Sequence, residues 1–371
     1  MASSWLSART DAFDSSGIRK VFDLAAKLSD PINLSIGQPD FEVPPEVQAA
    51  AIDAIRSGRN GYSVTQGIAE LRDKLRSEVI DDYGHEDREL VITSGTSGGL
   101  VLAIMALVDA GDEVIVFDPY FVMYEPLVRL VGGQCVLVDT YPDFQIDPDK
   151  VRAALSPKTK LILFNSPANP TGSVASETVV RQLAELAAEH NVVLLSDEIY
   201  RSFSYQGPMT SPAQFNDRTL VLDGFSKSHA ITGWRLGYAH GPAEIIDAMT
   251  KLQQYTFVCA PQPAQWAGIA ALDIDMTAAR DAYRCKRDML LEGLGDNFEI
   301  AQPDGAFYIF PRAPWGTATE FVTSAIDNNL LIIPGNVFSR RDTHFRLSYA
   351  AADETIQRGI EVLNRLAQAG P

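Results

Sequence analysis

The chain has 371 residues, 46% hydrophobic and 21% charged, an ordinary globular composition long enough for a large core and two domains. Its formal net charge of −17 favours solubility and argues against nucleic acid or an anionic membrane as a partner. Cys135, Cys259 and Cys285 are scattered without metal-ligand spacing, and no secretory signal or membrane-length apolar run is seen, so a soluble cytoplasmic protein is expected.

Residues 1–36 read as an arm and a short helix leading to Asn33-Leu-Ser-Ile36. In the turn Ile36-Gly-Gln-Pro-Asp-Phe41, Gly37 can bring a bare backbone N–H to a ligand, or simply shape the turn. Pro44 to Arg56 reads as a helix with Val47, Ala50, Ala51 and Ile55 on one face. Gly61-Tyr-Ser-Val-Thr-Gln-Gly67 is a loop whose Tyr62 either packs or reaches a neighbouring site. A helix over 68–79 follows.

Leu90-Val-Ile-Thr93 is a strand, Ser94-Gly-Thr-Ser-Gly-Gly99 a turn of small residues, and 100–108 a helix. Backbone N–H groups and hydroxyls converging at a helix start suit a phosphate. The pattern is neither a Rossmann fingerprint nor a P-loop, and small turns are also common for steric reasons. The strand Glu113–Phe117 ends at Asp118-Pro-Tyr-Phe-Val-Met-Tyr124, where Tyr120 or Phe121 can stack on a flat ring or pack the core. Further strands are read at 134–138 and 160–164, with a helix near 149–155. The rigid turn Asn165-Ser-Pro-Ala-Asn-Pro-Thr-Gly172 aims Asn169 at one place.

A helix over 177–189 leads to the strand 192–195 and Ser196-Asp-Glu-Ile-Tyr200. Asp197 closes a buried strand and needs a cationic or hydrogen-bonding partner. The strand 219–222 delivers Asp223-Gly-Phe-Ser-Lys-Ser-His-Ala-Ile-Thr-Gly-Trp-Arg235. A lysine at a buried strand's end, here Lys227, is a candidate for a desolvated nucleophilic amine. Arg235, between glycines, is a candidate anion grip. His229 reads as a packing residue. Helices are expected over 244–255, 264–272, 277–294 and 353–368, with strand segments at 306–310, 331–333 and 345–349.

Strand–helix alternation through the middle predicts a large doubly wound, mostly parallel α/β domain over 37–263. A smaller α+β domain is expected over 264–371, joined by the arm 1–36.

The ensemble resembles the class I/II aminotransferases of the fold-type I pyridoxal-phosphate enzymes, most of all the prokaryotic aspartate-type ones. The resemblance is carried by Pro167-Ala-Asn-Pro-Thr-Gly172, Ser196-Asp-Glu-Ile-Tyr200 and Ser226-Lys-Ser-His-Ala-Ile-Thr-Gly-Trp-Arg235 in that order, and extends from Gly17 to Ser348. It implies pyridoxal 5′-phosphate as cofactor and Lys227 as the Schiff-base lysine and proton carrier. Asp197 would pair with the ring nitrogen, Asn169 and Tyr200 with the ring's 3-oxygen, and Phe121 would stack on the ring. Gly95, Thr96, Ser97, Ser226 and Arg235 would surround the phosphate, and Arg346, helped by Gly37 and Asn169, would hold the substrate carboxylate. Tyr62 matches a tyrosine that reaches the neighbouring subunit's phosphate, which implies a homodimer with shared active sites. One departure is Gly224, where many members carry a serine, leaving the phosphate cup one donor short.

The resemblance implies ping-pong transamination between an L-amino acid and a 2-oxo acid. Two rivals stand beside it: a carbon–sulfur β-lyase using the same residues, and a ligand-sensing domain of a transcription regulator. Arg19, Lys20, Arg312 and Arg340 are candidate partners for a substrate side-chain carboxylate, though each reads first as a surface charge.

Overall fold

The computed structural model describes residues 5, 7–11, 17, 28–85 and 88–370. Positions 18–20, where the resemblance begins and where Arg19 and Lys20 fall, lie outside them, as does most of the expected arm.

Seven strands form the main sheet: β2 (Arg88–Ser94), β3 (Glu113–Asp118), β4 (Gln134–Asp139), β5 (Thr159–Asn165), β6 (Val193–Asp197), β7 (Leu220–Gly224) and β8 (Leu236–Pro242). Their order is β2-β8-β7-β6-β5-β3-β4. Only β8 runs antiparallel to its neighbours. Side chains alternate across the pleat. Val114, Val116, Leu161 and Leu163 face the helices Gly95–Leu107 and Ala243–Thr256, while Ile115, Phe117, Ile162 and Phe164 face Glu177–Glu189. A sheet covered on both faces needs apolar residues at every position, which is why its parallel strands stand out in the sequence.

The helix Glu177–Glu189 shows how local signals agree. The Ser176 side chain accepts from the Val179 N–H, and Val180, Leu183, Ala184 and Ala187 bury one stripe. The helix Pro45–Arg56 departs from expectation. It buries Val47, Ala51 and Ala54, whereas Ile55 is 54% exposed and Ile52 46%. Its buried face packs on the helix Gln262–Ala271, over β2 and β8.

β8 has no counterpart among the expected strands, because Leu236-Gly-Tyr-Ala-His-Gly-Pro242 reads as a turn-rich stretch. Its glycines answer to packing instead. Gly237 stands opposite Gly224 of β7, and a Cβ on Gly237 would lie 2.7 Å from the backbone of Gly95 and Thr96. The turn that opens the helix Gly95–Leu107 therefore rests directly on bare backbone.

The rest of the chain builds a second core around Tyr283, Phe307, Phe321, Phe345, Tyr349 and Leu363. Strands β11 (Ile333–Pro334), β12 (Phe345–Ser348) and β9 (Tyr308–Ile309) form a three-stranded antiparallel sheet in that order. β1 (Ile32–Asn33) pairs in parallel with β10 (Leu330–Leu331), tying an early segment to this late one. The helices Thr277–Leu294, Ala318–Asp327 and Asp353–Ala369 complete it. Among the described residues no helix is long and apolar enough to cross a membrane.

Candidate active site

The C-terminal ends of β2, β3, β5, β6 and β7 share one edge of the main sheet. β12 approaches that edge from the second unit, and a cavity of about 310 Å³ lies between them. Gly37, Thr96, Ser97, Phe121, Asn169, Asp197, Tyr200, Ser226, Lys227, Arg235 and Arg346 all line it, far apart in sequence as they are. Two expected residues do not. Gly95 lies just beneath the lining, and Tyr62 stands 86% exposed on its own loop.

Lys227 sits at the cavity floor, and its ammonium donates to the Gly37 carbonyl at 2.6 Å. Burial, then the positive charges of Arg346 and Arg235, lower its pKa from 10.5 to about 8. Asp197, at the end of β6, is pushed up to about 6, chiefly by burial. Its partner is a hydroxyl: Tyr124 donates to Oδ2 at 2.8 Å. The Asn165 side-chain amide donates to the Asp197 carbonyl at 2.8 Å, and Asn165 Oδ1 accepts from the Asn169 N–H at 3.0 Å. One asparagine thus sets both the end of β6 and the turn carrying Asn169.

At the other end, the helix Gly95–Leu107 points its N-terminus inward, where unpaired N–H groups and the helix dipole favour an anion. Gly95 has φ +69°, and a Cβ there would lie 2.5 Å from Nη2 of Arg235. Only glycine lets the guanidinium cross the turn. Arg235 is itself left-handed, φ 56°, and donates through Nη1 to the Thr232 carbonyl at 2.8 Å. The Thr96 hydroxyl is engaged with the Asp223 carbonyl at 3.3 Å, whereas among the described residues the Ser97 hydroxyl has no such backbone partner.

Gly224 has a steric explanation. A Cβ there would lie 2.8 Å from Gly237 Cα and 2.9 Å from the Leu236 carbonyl, so a serine does not fit between these strands.

Arg346, on β12, is 1% exposed. Nη1 donates to Asn169 Oδ1 at 3.0 Å and Nη2 to the Ser35 carbonyl at 2.8 Å. Its guanidinium carbon lies 4.6 Å from the centre of the Tyr308 ring and 4.7 Å from that of Phe338, and among the described residues Nε has no protein partner. A buried donor without a partner is costly, so an acceptor from a ligand is the natural complement. Tyr200 and Tyr308 join hydroxyl to hydroxyl at 2.9 Å. His229 lies outside the lining, its Nδ1 2.8 Å from the Ser228 hydroxyl and its ring near Phe225.

Sequence reasoning missed Tyr124, Asn165, Tyr308 and Ser35 as parts of this site. Tyr124 opens the helix Tyr124–Leu130 three residues after Phe121, and its N–H donates to the Phe121 carbonyl at 3.0 Å. Tyr308 hid inside the apolar run 306–310. Of the candidate side-chain partners, Arg312 pairs with Glu299 and Arg340 with Glu125, and neither lines the cavity.

The donor set fits pyridoxal phosphate: a reactive amine, a carboxylate for the ring nitrogen, and an arginine at a helix N-terminus for the phosphate. Arg346 remains over for a carboxylate.

Comparison with known proteins agrees. Residues 29–363 match the family described as Aminotransferase class I and II. A probable aspartate aminotransferase of Methanocaldococcus jannaschii is 38% identical, covering 97% of this chain and 99% of its own. An aspartate/prephenate aminotransferase of Thermus thermophilus is 38% identical over 94% of each. Among solved structures, the Thermus thermophilus aspartate aminotransferase with maleate superposes with a TM-score of 0.94 at 36% identity, covering 98% of this chain and 100% of that one. An aromatic aminotransferase from Pyrococcus horikoshii gives 0.88 at 31% identity, covering 94% and 99%.

Proposed function

This chain belongs to the class I and II aminotransferases, pyridoxal-phosphate-dependent transaminases, and from that premise we propose the role of each residue and the kind of substrate. The amino group of an L-amino acid passes to a 2-oxo acid in two half-reactions, with donors of the aspartate type or a broader range. The names of the relatives support that range, since they include aspartate, prephenate and aromatic activities. The observation that carries the reading is the pairing in one cavity of a buried amine titrating near 8 with a buried carboxylate.

Bound pyridoxal phosphate supplies an electron sink for negative charge at the substrate Cα. Lys227 binds the cofactor and carries the proton to and from that carbon. Its lowered pKa leaves a useful fraction neutral near pH 8, where an ordinary lysine is charged. Asp197 holds positive charge at the ring nitrogen, and the Tyr124 hydroxyl orients its carboxylate. Asn169 and Tyr200 meet the ring's 3-oxygen. Gly95, Thr96, Ser97, Ser226 and Arg235 would surround the phosphate, with the Ser97 hydroxyl among the donors facing the cavity. Phe121 covers the ring and excludes water. Arg346 grips the α-carboxylate, with Asn169 and Gly37 beside it.

A homodimer belongs to the same proposal. Tyr62 and Val64 are exposed on a loop joined by the Gln253 amide, donating to the Thr65 carbonyl at 2.6 Å, to the helix end where Tyr255, Phe257 and Val258 are exposed, an apolar group suited to a second copy that would place Tyr62 at the partner's phosphate. Free, scattered cysteines agree with a cytoplasmic setting.

A panel of amino donors against 2-oxoglutarate and pyruvate, followed through the cofactor's absorption, tests the reading. Stoichiometric conversion to the amine form of the cofactor by donor alone is expected. Continuous release of pyruvate and ammonia would overturn it in favour of a lyase. Sedimentation of wild-type protein beside Tyr62→Ala tests the shared site: a dimer in both, with weaker cofactor retention in the variant, is expected.

A further inference from the structure

Beside its hydrogen bonds to Asn169 and Ser35, Arg346 packs against two rings of different origin. Tyr308, 4.6 Å from the guanidinium carbon, belongs to β9 in the same small sheet. Phe338, at 4.7 Å, belongs to the segment between β11 and β12, and that segment leans on the large sheet. The Phe338 carbonyl accepts from the Tyr120 N–H at 2.8 Å, one residue before Phe121 on the opposite cavity wall. The Ser339 hydroxyl accepts from Tyr141 at 3.0 Å, and the Arg340 N–H is donated to Asp118 Oδ2 at 3.4 Å.

Two arginines then close the seam. Arg340 pairs with Glu125, whose other oxygen accepts from the Tyr120 hydroxyl at 2.6 Å. Arg341 pairs with Asp139 at 2.7 Å and lies 4.4 Å over the Tyr141 ring. The Glu125 side chain is 12% exposed, which strengthens its pairing, but both arginines are about half exposed and open to screening by salt. None of these charges lines the cavity.

We propose that Arg340 and Arg341 act as positioning residues, a clasp that seats Phe338 against Arg346 and thereby sets the affinity for the carboxylate shared by donor and acceptor. A guanidinium can present its fork to a carboxylate only in one plane, and the two rings packed against Arg346 help to fix that plane. If the segment 338–341 lifts, one ring leaves, and Arg346 keeps its charge and its bonds to Asn169 and Ser35 but is held less firmly in its plane. The effect therefore falls on binding, not on the proton transfer at Lys227. This inference rests on the reading of Arg346 as the carboxylate site.

The test is an Arg340→Gln/Arg341→Gln double variant of the holoenzyme, with Arg340→Lys/Arg341→Lys and Arg346→Gln as companions. For the best donor and acceptor of the panel, KM should rise about fivefold in the glutamine pair, which is ~1 kcal/mol. The kcat should stay within about twofold, and the lysine pair should restore KM. Hydrogen exchange at the Tyr120 amide, which reports the clasp without turnover, should quicken. Between about 50 and 500 mM NaCl the wild-type KM should rise more steeply than that of the glutamine pair.

An unchanged KM, a fall in kcat alone, or equal salt dependence in both proteins would overturn the clasp. If Arg346→Gln raises KM while the glutamine pair does not, only the clasp fails. If Arg346→Gln also leaves KM unchanged, the carboxylate reading fails and takes the clasp with it.

Discussion

Lys227 and Arg346 are two buried cations facing one cavity, and the protein treats them in opposite ways. Lys227 lies among residues that strip its water, beside two other positive charges, so the easiest response is to give up a proton. Arg346 is buried as deeply, and burial lowers its pKa too. A guanidinium begins so high that it stays charged, and the surroundings accommodate it: a carbonyl, an amide oxygen and two aromatic faces. In the proposed roles, burial makes one cation a reagent and leaves the other a binding group. The difference comes from the intrinsic pKa and from how each neighbourhood is furnished.

Replacing Lys227 by alanine strikes this contrast hardest. Turnover should fall on the order of 10⁴-fold, measured with the best donor, while binding of a substrate carboxylate persists. Normal turnover would break the assignment.

The second probe needs no mutation of the site. In protein stripped of cofactor, an amine-reactive acylating reagent should modify Lys227 at a rate that rises as pH climbs through about 8 and then levels. The neutral amine is the reactive form, and a lowered pKa makes it available at lower pH. At pH 8 the advantage over a surface lysine is about 100-fold from neutral fraction alone. A midpoint near 10 would remove the distinction between the two cations.

Arg346→Lys keeps the charge and loses the planar fork, and should raise KM about 30-fold with a smaller change in kcat. An effect on kcat alone would mean that Arg346 takes part in the chemistry. The smallest expected effect is at Tyr124→Phe. Asp197 loses the hydroxyl that lowers its pKa, so its carboxyl should titrate above about 6, and cofactor affinity measured by titration should fall about tenfold. Unchanged affinity would mean that Asp197 needs no help to stay ionised.

Much of the architecture was legible along the chain. The parallel strands declare themselves as apolar runs because both of their faces are covered, and the cavity-lining residues follow them directly at their C-terminal ends. Asn169, Asp197, Lys227 and Arg235 each depend on a strand or turn within a few residues, so local reading finds them. Strand β8 escaped, because its glycines answer to the Gly95–Thr96 turn more than a hundred residues earlier. Ile55 fell outside the buried face that keeps Val47 and Ala51 for a comparable reason: helical period tells that a face is apolar, but not what covers it.

By itself, then, the sequence determined the chemistry: which side chains could hold a ring, a phosphate and a carboxylate, and in what order they arrive. Only the tertiary structure decided how those groups are set. The hydroxyl on Asp197 comes from Tyr124 at the start of the helix after β3, the carbonyl on Arg346 from Ser35, and the second ring on Arg346 from a segment paired with Glu125 and Asp139. Such partners share no spacing with the residues they serve. They meet because two cores pack edge to edge, and burial between them turns an ordinary lysine and an ordinary arginine into an amine that gives up its proton and a cation that cannot.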